Sequence, residues 1–154
     1  MSHEIERADL ADLTELNAIS FAAKSHWDYP NEWLELWRED LKLTPEEIAL
    51  RKVYKLIEQH RIVGFCAIFE TQDEYEVEHL WILPAVMGKG YGKQLLDFAL
   101  ADAIREDKPV IVASDPHAEG FYQKQGFETF AQRPSVPEGR VLPLMRRVGV
   151  CKPE

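Results

Sequence analysis

The stretch VMGKGYGKQLL, residues 86–96, decides how the rest of the chain is interpreted. It follows an apolar run, Leu80–Pro84, and leads into a segment whose apolar residues recur at helical spacing. A strand, a glycine turn and a helix in that order favour anion binding, because glycines let backbone N–H groups close on a phosphate beside the positive helix N-terminus. Lys89 and Lys93 add two full positive charges. The stretch therefore predicts a phosphate-binding loop.

Two common phosphate-binding motifs do not match this loop. A P-loop requires Gly, four residues and then Gly-Lys-Ser/Thr. Here Gly92-Lys93 is followed by Gln94, and position 87 is not a glycine. A dinucleotide fingerprint reads Gly-x-Gly-x-x-Gly, whereas Gly88, Gly90 and Gly92 simply alternate. The loop therefore favours a phosphate ligand of another class.

The composition is that of a folded acidic domain. The 154 residues are 45% hydrophobic and 29% charged, which is enough for one domain with its own core. The net charge of −9 argues against nucleic acid and anionic membranes as partners and mildly favours a cationic substrate such as an amine, although ordinary solubility also explains it. The sequence has no apolar run of membrane length and no secretory signal, and Cys66 and Cys151 do not make a disulfide framework. We therefore expect a cytoplasmic protein.

The hydrophobic periodicity predicts helices first and then a sheet. The predicted helices are Asp9–Lys24 with an apolar face of Leu10, Leu13, Leu16 and Ile19, Asn31–Leu43, a short turn capped by Thr44, Tyr91–Glu106, and a last helix from Asp115 to near Gly126. The predicted strands are Glu4–Ala8 at an edge, Arg51–Glu58, Ile62–Phe69, Tyr75–Leu83, Pro109–Ser114, Phe127–Gln132 and Val141–Val148. The strands on either side of Tyr91–Glu106 are expected to be parallel, joined by a right-handed crossover.

A second motif lies downstream, Ala118-x-x-Phe121-Tyr122-x-x-x-Gly126-Phe127. Together with Met87-x-x-Gly90-x-Gly92, it resembles the GNAT superfamily of acetyl-CoA-dependent N-acyltransferases. The cofactor loop of that family reads Arg/Gln-x-x-Gly-x-Gly/Ala, and a later helix ends in Gly-Phe. The resemblance covers residues 51–127 in the right order and spacing. Two positions depart from the pattern, since Met87 replaces Arg or Gln and Asp115 replaces Asn.

The resemblance implies an α/β (α+β) fold with a mixed, mostly antiparallel sheet of six to seven strands flanked by about four helices, in a single domain over residues 1–154. Its central parallel strands, Tyr75–Leu83 and Pro109–Ser114, splay apart at their C-terminal ends, and the pantetheine arm of coenzyme A (CoA) fills the gap. An open parallel pair also favours a ligand there. By resemblance, the residues that bind acetyl-CoA are Leu80, Trp81, Ile82, Met87, Gly88, Lys89, Gly90, Tyr91, Gly92, Lys93 and Asp115.

Acetyl transfer to an amine needs a base for the amine, a donor for the oxyanion and an acid for the leaving thiolate. By resemblance, Tyr122 is the acid and backbone N–H groups of the splayed strand are the donors. We consider Glu78 the base, directly or through a water, because a carboxylate on a central strand is costly unless it faces a wet cleft. Glu76 on the same face could replace it. His79 on the other face competes, since histidine titrates near neutral pH.

The acceptor amine is not identified by the sequence. An aromatic group is expected to line its pocket with His79, and the members of this group are Trp27, Tyr29, Trp33 and Trp37. Trp33 and Trp37 at helical spacing are equally typical of a core. No metal is expected, because the histidines lack ligand spacing.

The resemblance implies an N-acetyltransferase that acts by direct attack on a small-molecule or peptide amine. We expect no acyl-enzyme, because neither cysteine lies near the proposed site. A homodimer is a candidate assembly, since domains of this family often form dimers. The alternative function is a GNAT-fold module that senses an acyl-CoA without turning it over.

Overall fold

The computed structural model describes residues 3–147, and within this range the chain forms seven strands and five α-helices. The strands are β1 His3–Arg7, β2 Lys52–Glu58, β3 Arg61–Glu70, β4 Tyr75–Ile82, β5 Val110–Ala113, β6 Glu128–Pro134 and β7 Val141–Arg147. The helices are α1 Leu13–Ser25, α2 Asn31–Trp37, α3 Pro45–Leu50, α4 Tyr91–Ala103 and α5 Glu119–Lys124. Short 3₁₀ turns lie before three of the helices, at Leu10–Asp12, Pro84–Val86 and Pro116–Ala118.

Side-chain caps explain where the first helical segments begin. The Ala11 N–H donates to the Asp9 carboxylate, and the Asp9 N–H donates to the carboxylate of Asp12. Thr44 and Glu47 form the same reciprocal pair at the start of α3. Each pair satisfies two N–H groups that have no partner inside the helix. Both predicted starts are confirmed.

Two helix predictions are wrong in detail. α2 ends at Trp37 rather than at Leu43. The residues that follow form a turn in which the Leu41 N–H donates to Trp37 O, and Leu41 is buried beside Leu34 and Trp37. Leu10 is 60% exposed rather than part of the apolar face. It begins a 3₁₀ turn, whose three residues per turn rotate it away from the face that α1 buries.

The sheet is mixed, and its strands hydrogen-bond in the order β1-β2-β3-β4-β5-β7-β6. The β1–β2 and β2–β3 pairs are antiparallel, β4 and β5 are parallel, and β5–β7 and β6–β7 are antiparallel. The predicted α/β sheet of six to seven strands is therefore confirmed with seven. The edge position of β1 and the parallel pair on either side of α4 are confirmed as well.

The chain divides into two compact units. The first comprises the residues up to 68 together with 79–103, and its core includes Leu16, Ile48, Val53 and Phe65. α4 packs on β2 in this unit and buries four apolar side chains, those of Leu95, Leu96, Ala99 and Ala103.

The second unit comprises residues 69–78 and those from 104 onward. It buries apolar side chains from several of its strands and from the start of β6, among them Tyr75, Val110, Phe127 and Met145. The single domain over residues 1–154 stays a prediction. Val148, the predicted end of the last strand, and Cys151 lie outside the described residues.

Three further findings concern Cys66, membrane-spanning helices and metal-binding groups. Cys66 is buried in β3, as expected of a core residue, and burial raises the pKa of its thiol. No helix among residues 3–147 has both the length and the apolar character that crossing a membrane requires. Across the same residues, no group of three or more His, Cys, Asp and Glu side chains is placed to hold a metal ion.

Candidate functional site

The glycine loop lies between β4 and α4 in the first unit. After the turn Pro84–Val86, the backbone is extended at Met87, with φ −63° and ψ 149°. It then passes through positive φ at Gly88 (+89°) and Gly90 (+81°) before α4 begins at Tyr91. Glycine adopts such angles without steric cost, and a Cβ built on either glycine would meet no atom within 4 Å. These glycines therefore serve the backbone conformation rather than packing.

Most backbone N–H groups of this loop have no backbone acceptor among the residues that the structure describes. The Met87 N–H donates to Pro84 O at 3.2 Å, and the Gln94 N–H donates to Gly90 O at 3.2 Å. Between them, the N–H groups of residues 88–93 find no backbone acceptor within residues 3–147. α4 is 13 residues long, so its N-terminus also carries the positive end of the helix dipole. This combination of donors and dipole is suited to a phosphate group.

Three side chains of the predicted loop ligands have partners within the protein. The Tyr91 hydroxyl donates to Glu58 Oε2, and Lys89 Nζ lies 3.5 Å from the same oxygen. Lys93 Nζ pairs with Asp97 Oδ2 at 2.7 Å. The two lysine side chains are 52% and 62% exposed, so they can turn to a ligand. The buried Tyr91 ring leaves the backbone N–H as the group that a phosphate can reach.

Strand β4 contains one residue more than the part of β3 that it faces. The Thr71 N–H donates to Glu74 O in the turn between the strands, and the Leu83 N–H donates to Val63 O at the far end. Between these two pairs, β4 contributes residues 75–82 and β3 only 64–70. The ladder therefore contains a β-bulge on β4. Bulges re-aim side chains and are common beside active sites, and this strand carries the candidate bases.

The three residues predicted to bind the pantetheine arm, Leu80, Trp81 and Ile82, differ in the direction of their backbone N–H and C=O groups. A Cβ built on Gly64 would lie 2.9 Å from Trp81 O, so this carbonyl faces β3. Because backbone groups alternate in direction along a strand, those of Leu80 and Ile82 point away from β3. Leu80 and Ile82 therefore present their backbone groups on the side away from β3, and the binding of the pantetheine arm by residues 80–82 stays a prediction.

The parallel pairing of β4 with β5 is short. Its register joins residues 75–76 to 110–111 and goes no further, although β4 continues through Val77 and Glu78 and β5 through residues 112–113. The expected splay of the two central parallel strands is therefore confirmed. Strands that stop pairing leave backbone donors and acceptors for another partner.

The candidate bases Glu76, Glu78 and His79 are half-buried on β4. The Trp81 indole N–H donates to His79 Nδ1 at 2.9 Å, and the His79 ring lies 5.7 Å from the ring of Phe65. A neutral imidazole whose Nδ1 accepts this bond carries its proton on Nε2. His79 thus has no spare lone pair while the bond lasts, which favours the two carboxylates as the base.

Tyr122 lies in α5 in the second unit and is 5% exposed. Its ring packs edge-on against Phe121 and Phe127, with centroids 5.1 and 5.4 Å away. Its carbonyl accepts the N–H groups of Gln125 and Phe127. Gly126 between them has φ +93°, which confirms the predicted helix end at that glycine. The second motif therefore holds Tyr122 in a defined position.

Asp115 caps the turn before α5, as predicted, and also contacts the connection between β6 and β7. Its Oδ1 accepts the His117 N–H at 2.8 Å and lies 2.9 Å from His117 Nδ1. Arg140 Nη2 lies 3.7 Å from the other carboxylate oxygen, and Arg140 Nη1 donates to Ser135 Oγ at 3.2 Å. At the position where the family usually has Asn, this carboxylate thus joins two segments of the second unit.

Lys24 is buried among the aromatic side chains predicted to line the acceptor pocket. Its Nζ lies 5.1 Å from the ring centroid of Tyr29, 4.7 Å from that of Trp37 and 6.0 Å from that of Trp81. Such distances are those of cation–π contacts. The Trp33 ring lies 6.0 Å from that of Tyr29. The fold therefore brings these aromatics together, with Trp37 as a core residue.

Sequence reasoning missed three charged residues of these regions, Lys24, Glu58 and Arg140. Each is mostly buried, and each meets its partners through contacts between segments distant along the chain. A charged residue at the end of a predicted strand is normally interpreted as solvent-exposed, so the sequence did not indicate the contacts of Glu58.

Among the predicted pocket residues, Trp27 is 38% exposed and its ring lies edge-on to that of His26, with the ring centroids 4.9 Å apart.

Comparison with known proteins identifies related folds. A family model described as an acetyltransferase (GNAT) domain matches residues 50–129. No curated protein gives a significant match. The chain is similar in fold to the PaiA N-acetyltransferase from Thermoplasma acidophilum in complex with coenzyme A, at 19% identity over 97% of this chain and 100% of that one, with a TM-score of 0.73.

Two further solved structures show the same fold. The GCN5-related N-acetyltransferase from Rhodopseudomonas palustris is 19% identical over 96% of each chain, with a TM-score of 0.74. The ribosomal-protein-S18-alanine N-acetyltransferase from Escherichia coli is 15% identical over 97% of this chain and 96% of that one, with a TM-score of 0.72. At these identities the likeness is one of fold.

Proposed function

The chain belongs to the GNAT acetyltransferase family, and on that premise we propose that it transfers an acetyl group from acetyl-CoA to a primary amine by direct attack. The acceptor is a small molecule or a peptide. The observation that carries the proposal is the glycine loop, where the N–H groups of residues 88–93 have no backbone acceptor among residues 3–147 and the N-terminus of α4 lies beside them.

We assign the binding of the pyrophosphate to the glycine loop. Backbone N–H groups of residues 88–93 bind its oxygens, and Lys89 and Lys93 add charge from exposed positions. Met87 offers no side-chain hydrogen bond, so the backbone supplies most of the affinity. The Leu80 and Ile82 backbone groups, which point away from β3, bind the pantetheine arm. The bound acetyl-CoA supplies the thioester.

Two side chains carry out the proton transfers of the acetyl-transfer reaction. Glu78, directly or through a water, takes the proton from the amine, and Glu76 is the alternative on the same strand. Tyr122 donates a proton to the departing sulfur. A tyrosine hydroxyl is a weaker acid than a thiol, so this step depends on the fixed placement that Phe121 and Phe127 enforce. A backbone N–H of β4 stabilises the developing oxyanion.

The acceptor binds beside the aromatic group that includes Tyr29 and Trp33. Aromatic faces attract cations, and the net charge of −9 also suits a cationic amine. Lys24 shows that these rings accept a cation, since its Nζ lies over the rings of Tyr29 and Trp37.

The direct test mixes the purified protein with acetyl-CoA, a panel of amines and peptides, and a thiol-reactive chromophore. The proposal expects thiol release that depends on one class of amine, with the acetylated product seen by mass spectrometry. Binding of CoA without release for any amine would favour the alternative, a module that senses acyl-CoA. Absence of CoA binding would contradict both functions.

A further inference from the structure

A buried carboxylate lies directly against the glycine loop, although it belongs to a strand more than 30 residues earlier in the chain. Glu58 ends β2, and its side chain is 10% exposed. It accepts a hydrogen bond from the Tyr91 hydroxyl, and Lys89 Nζ lies 3.5 Å away. A carboxylate in such a position is costly unless it is paired and hydrogen-bonded. Here both partners come from the loop and the first residue of α4.

The two partners of Glu58 lie beside the glycines of the loop. Lys89 lies between Gly88 and Gly90, and Tyr91 follows Gly90 directly. Both glycines have positive φ, which glycine adopts more readily than any other residue, and a Cβ built on either would meet no atom within 4 Å. The Glu58 carboxylate contacts the residues on both sides of Gly90. It therefore adds a restraint from a distant strand to this part of the loop.

We propose that Glu58 is a positioning residue, which holds the N–H groups of residues 88–93 in the arrangement that binds the pyrophosphate of CoA. It does so through Tyr91 and Lys89 and without touching the ligand. This inference rests on the proposed function and adds to it a residue from outside the loop. A pre-arranged loop loses less conformational freedom on binding, so Glu58 raises affinity for CoA and leaves the chemical step unchanged.

Three substitutions separate the parts of this contact. Glu58→Ala removes the acceptor and the charge, Glu58→Gln keeps an acceptor for the Tyr91 hydroxyl, and Tyr91→Phe removes the donor alone. The control is Glu70→Ala, because Glu70 also ends a strand and pairs with a lysine, Lys108, at 2.7 Å, but both residues belong to the second unit.

The measurement compares two acetyl donors, acetyl-CoA and S-acetylpantetheine, which lacks the pyrophosphate. For Glu58→Ala we expect KM for acetyl-CoA and Kd for CoA to rise about tenfold, the effect of losing one charged hydrogen bond, with kcat unchanged at saturation. The kcat/KM for S-acetylpantetheine should not change. Glu58→Gln should stay within about threefold of the wild type and Glu70→Ala should equal it.

Tyr91→Phe keeps the inference testable if Glu58→Ala does not fold. It should raise Kd for CoA about fivefold, and the double variant should bind no more weakly than Glu58→Ala alone, because both substitutions break one interaction. A Kd for CoA that is unchanged in Glu58→Ala, or an equal loss with both donors, would overturn the inference while leaving the proposed function intact. A wild type that does not bind CoA would overturn the proposed function and this inference with it.

Discussion

The glycine loop and strand β4 both offer backbone groups to a ligand, but they are held in place by opposite means. In the loop, Gly88 and Gly90 have positive φ and a Cβ on either would meet open space. Beside β4, Gly64 has no positive φ, but its Cβ would lie 2.6 Å from Ile82 Cδ1 and 2.9 Å from Trp81 O. The loop therefore depends on backbone angles that glycine favours, and β4 depends on close contact with β3.

Because of this difference, substitutions in the loop and beside β4 should affect different properties, ligand binding in the first case and stability in the second. A larger residue at Gly88 or Gly90 has room but must adopt a positive φ, so it strains the backbone locally and otherwise affects the ligand that the loop receives. A larger residue at position 64 displaces β4 itself, so it affects the stability of the protein and the strand that carries the candidate base together. The predictions below test this separation, beginning with the largest effect.

Gly90→Glu should abolish CoA binding, raising Kd at least about a hundredfold, or about 2.7 kcal/mol. The new carboxylate repels the pyrophosphate, and the positive φ of 81° becomes unfavourable. Gly139→Glu is the matched control, because Gly139 also has positive φ (+92°) and nothing within 4 Å of its Cβ. Both variants should lose about 1–2 kcal/mol of stability, but only Gly90→Glu should fail in calorimetric titration with CoA. Tight binding by Gly90→Glu would mean that the ligand does not occupy this loop.

Tyr122→Phe should lower kcat about a hundredfold and leave Kd for CoA unchanged. The substitution removes only the proposed proton donor, and the ring keeps its packing against Phe121 and Phe127. Steady-state kinetics and CoA titration on the same preparation measure the two effects separately. An unchanged kcat would remove Tyr122 from the mechanism.

Gly64→Ala should destabilise the protein by about 1–3 kcal/mol, because the added methyl group contacts the backbone of β4. The melting temperature should fall by roughly 2–10 °C, and kcat should fall as β4 moves. Gly120→Ala is the control, since its Cβ in α5 would meet nothing within 4 Å. That variant should melt at the same temperature as the wild type or slightly higher. Equal behaviour of the two variants would show that the β3–β4 contact is not tight.

The smallest expected effect concerns acid stability. The hydrogen bond from Tyr91, together with the charge of Lys89, holds the pKa of Glu58 below its usual range. A carboxyl group with a lowered pKa stabilises the folded state above the pKa of its unfolded form, and this contribution is lost as pH falls through the lower folded value. Below about pH 4.5 the free energy of unfolding should therefore fall more steeply in the wild type than in Glu58→Gln. Parallel pH curves from urea titrations would contradict this.

Local patterns were sufficient to predict much of this fold. The caps at Asp9, Thr44 and Asp115 involve residues two or three positions apart, so the sequence shows them directly. The same holds for Gly90 and Gly126, where positive φ follows from the loop and helix end that the motifs indicate. These features depend on neighbours along the chain.

Features that depend on pairing between distant segments could not be predicted in this way. The bulge on β4 appears only when its register against β3 is counted from Thr71–Glu74 to Val63–Leu83. The contact of Glu58 with Tyr91 depends on where β2 ends relative to α4. The choice between His79 and the glutamates depended on the hydrogen bond from Trp81. In each case the contact is determined by tertiary packing and not by residues nearby in the sequence.

The central claim is that the backbone N–H groups of residues 88–93 bind the pyrophosphate of CoA. The most direct measurement is a titration of ¹⁵N-labelled protein with CoA, following each backbone amide by NMR, with pantetheine as the control ligand. We predict that the amide signals of residues 88–93 shift with CoA in one saturable step and do not shift with pantetheine. Saturable binding of CoA that left these amides unmoved would contradict the account.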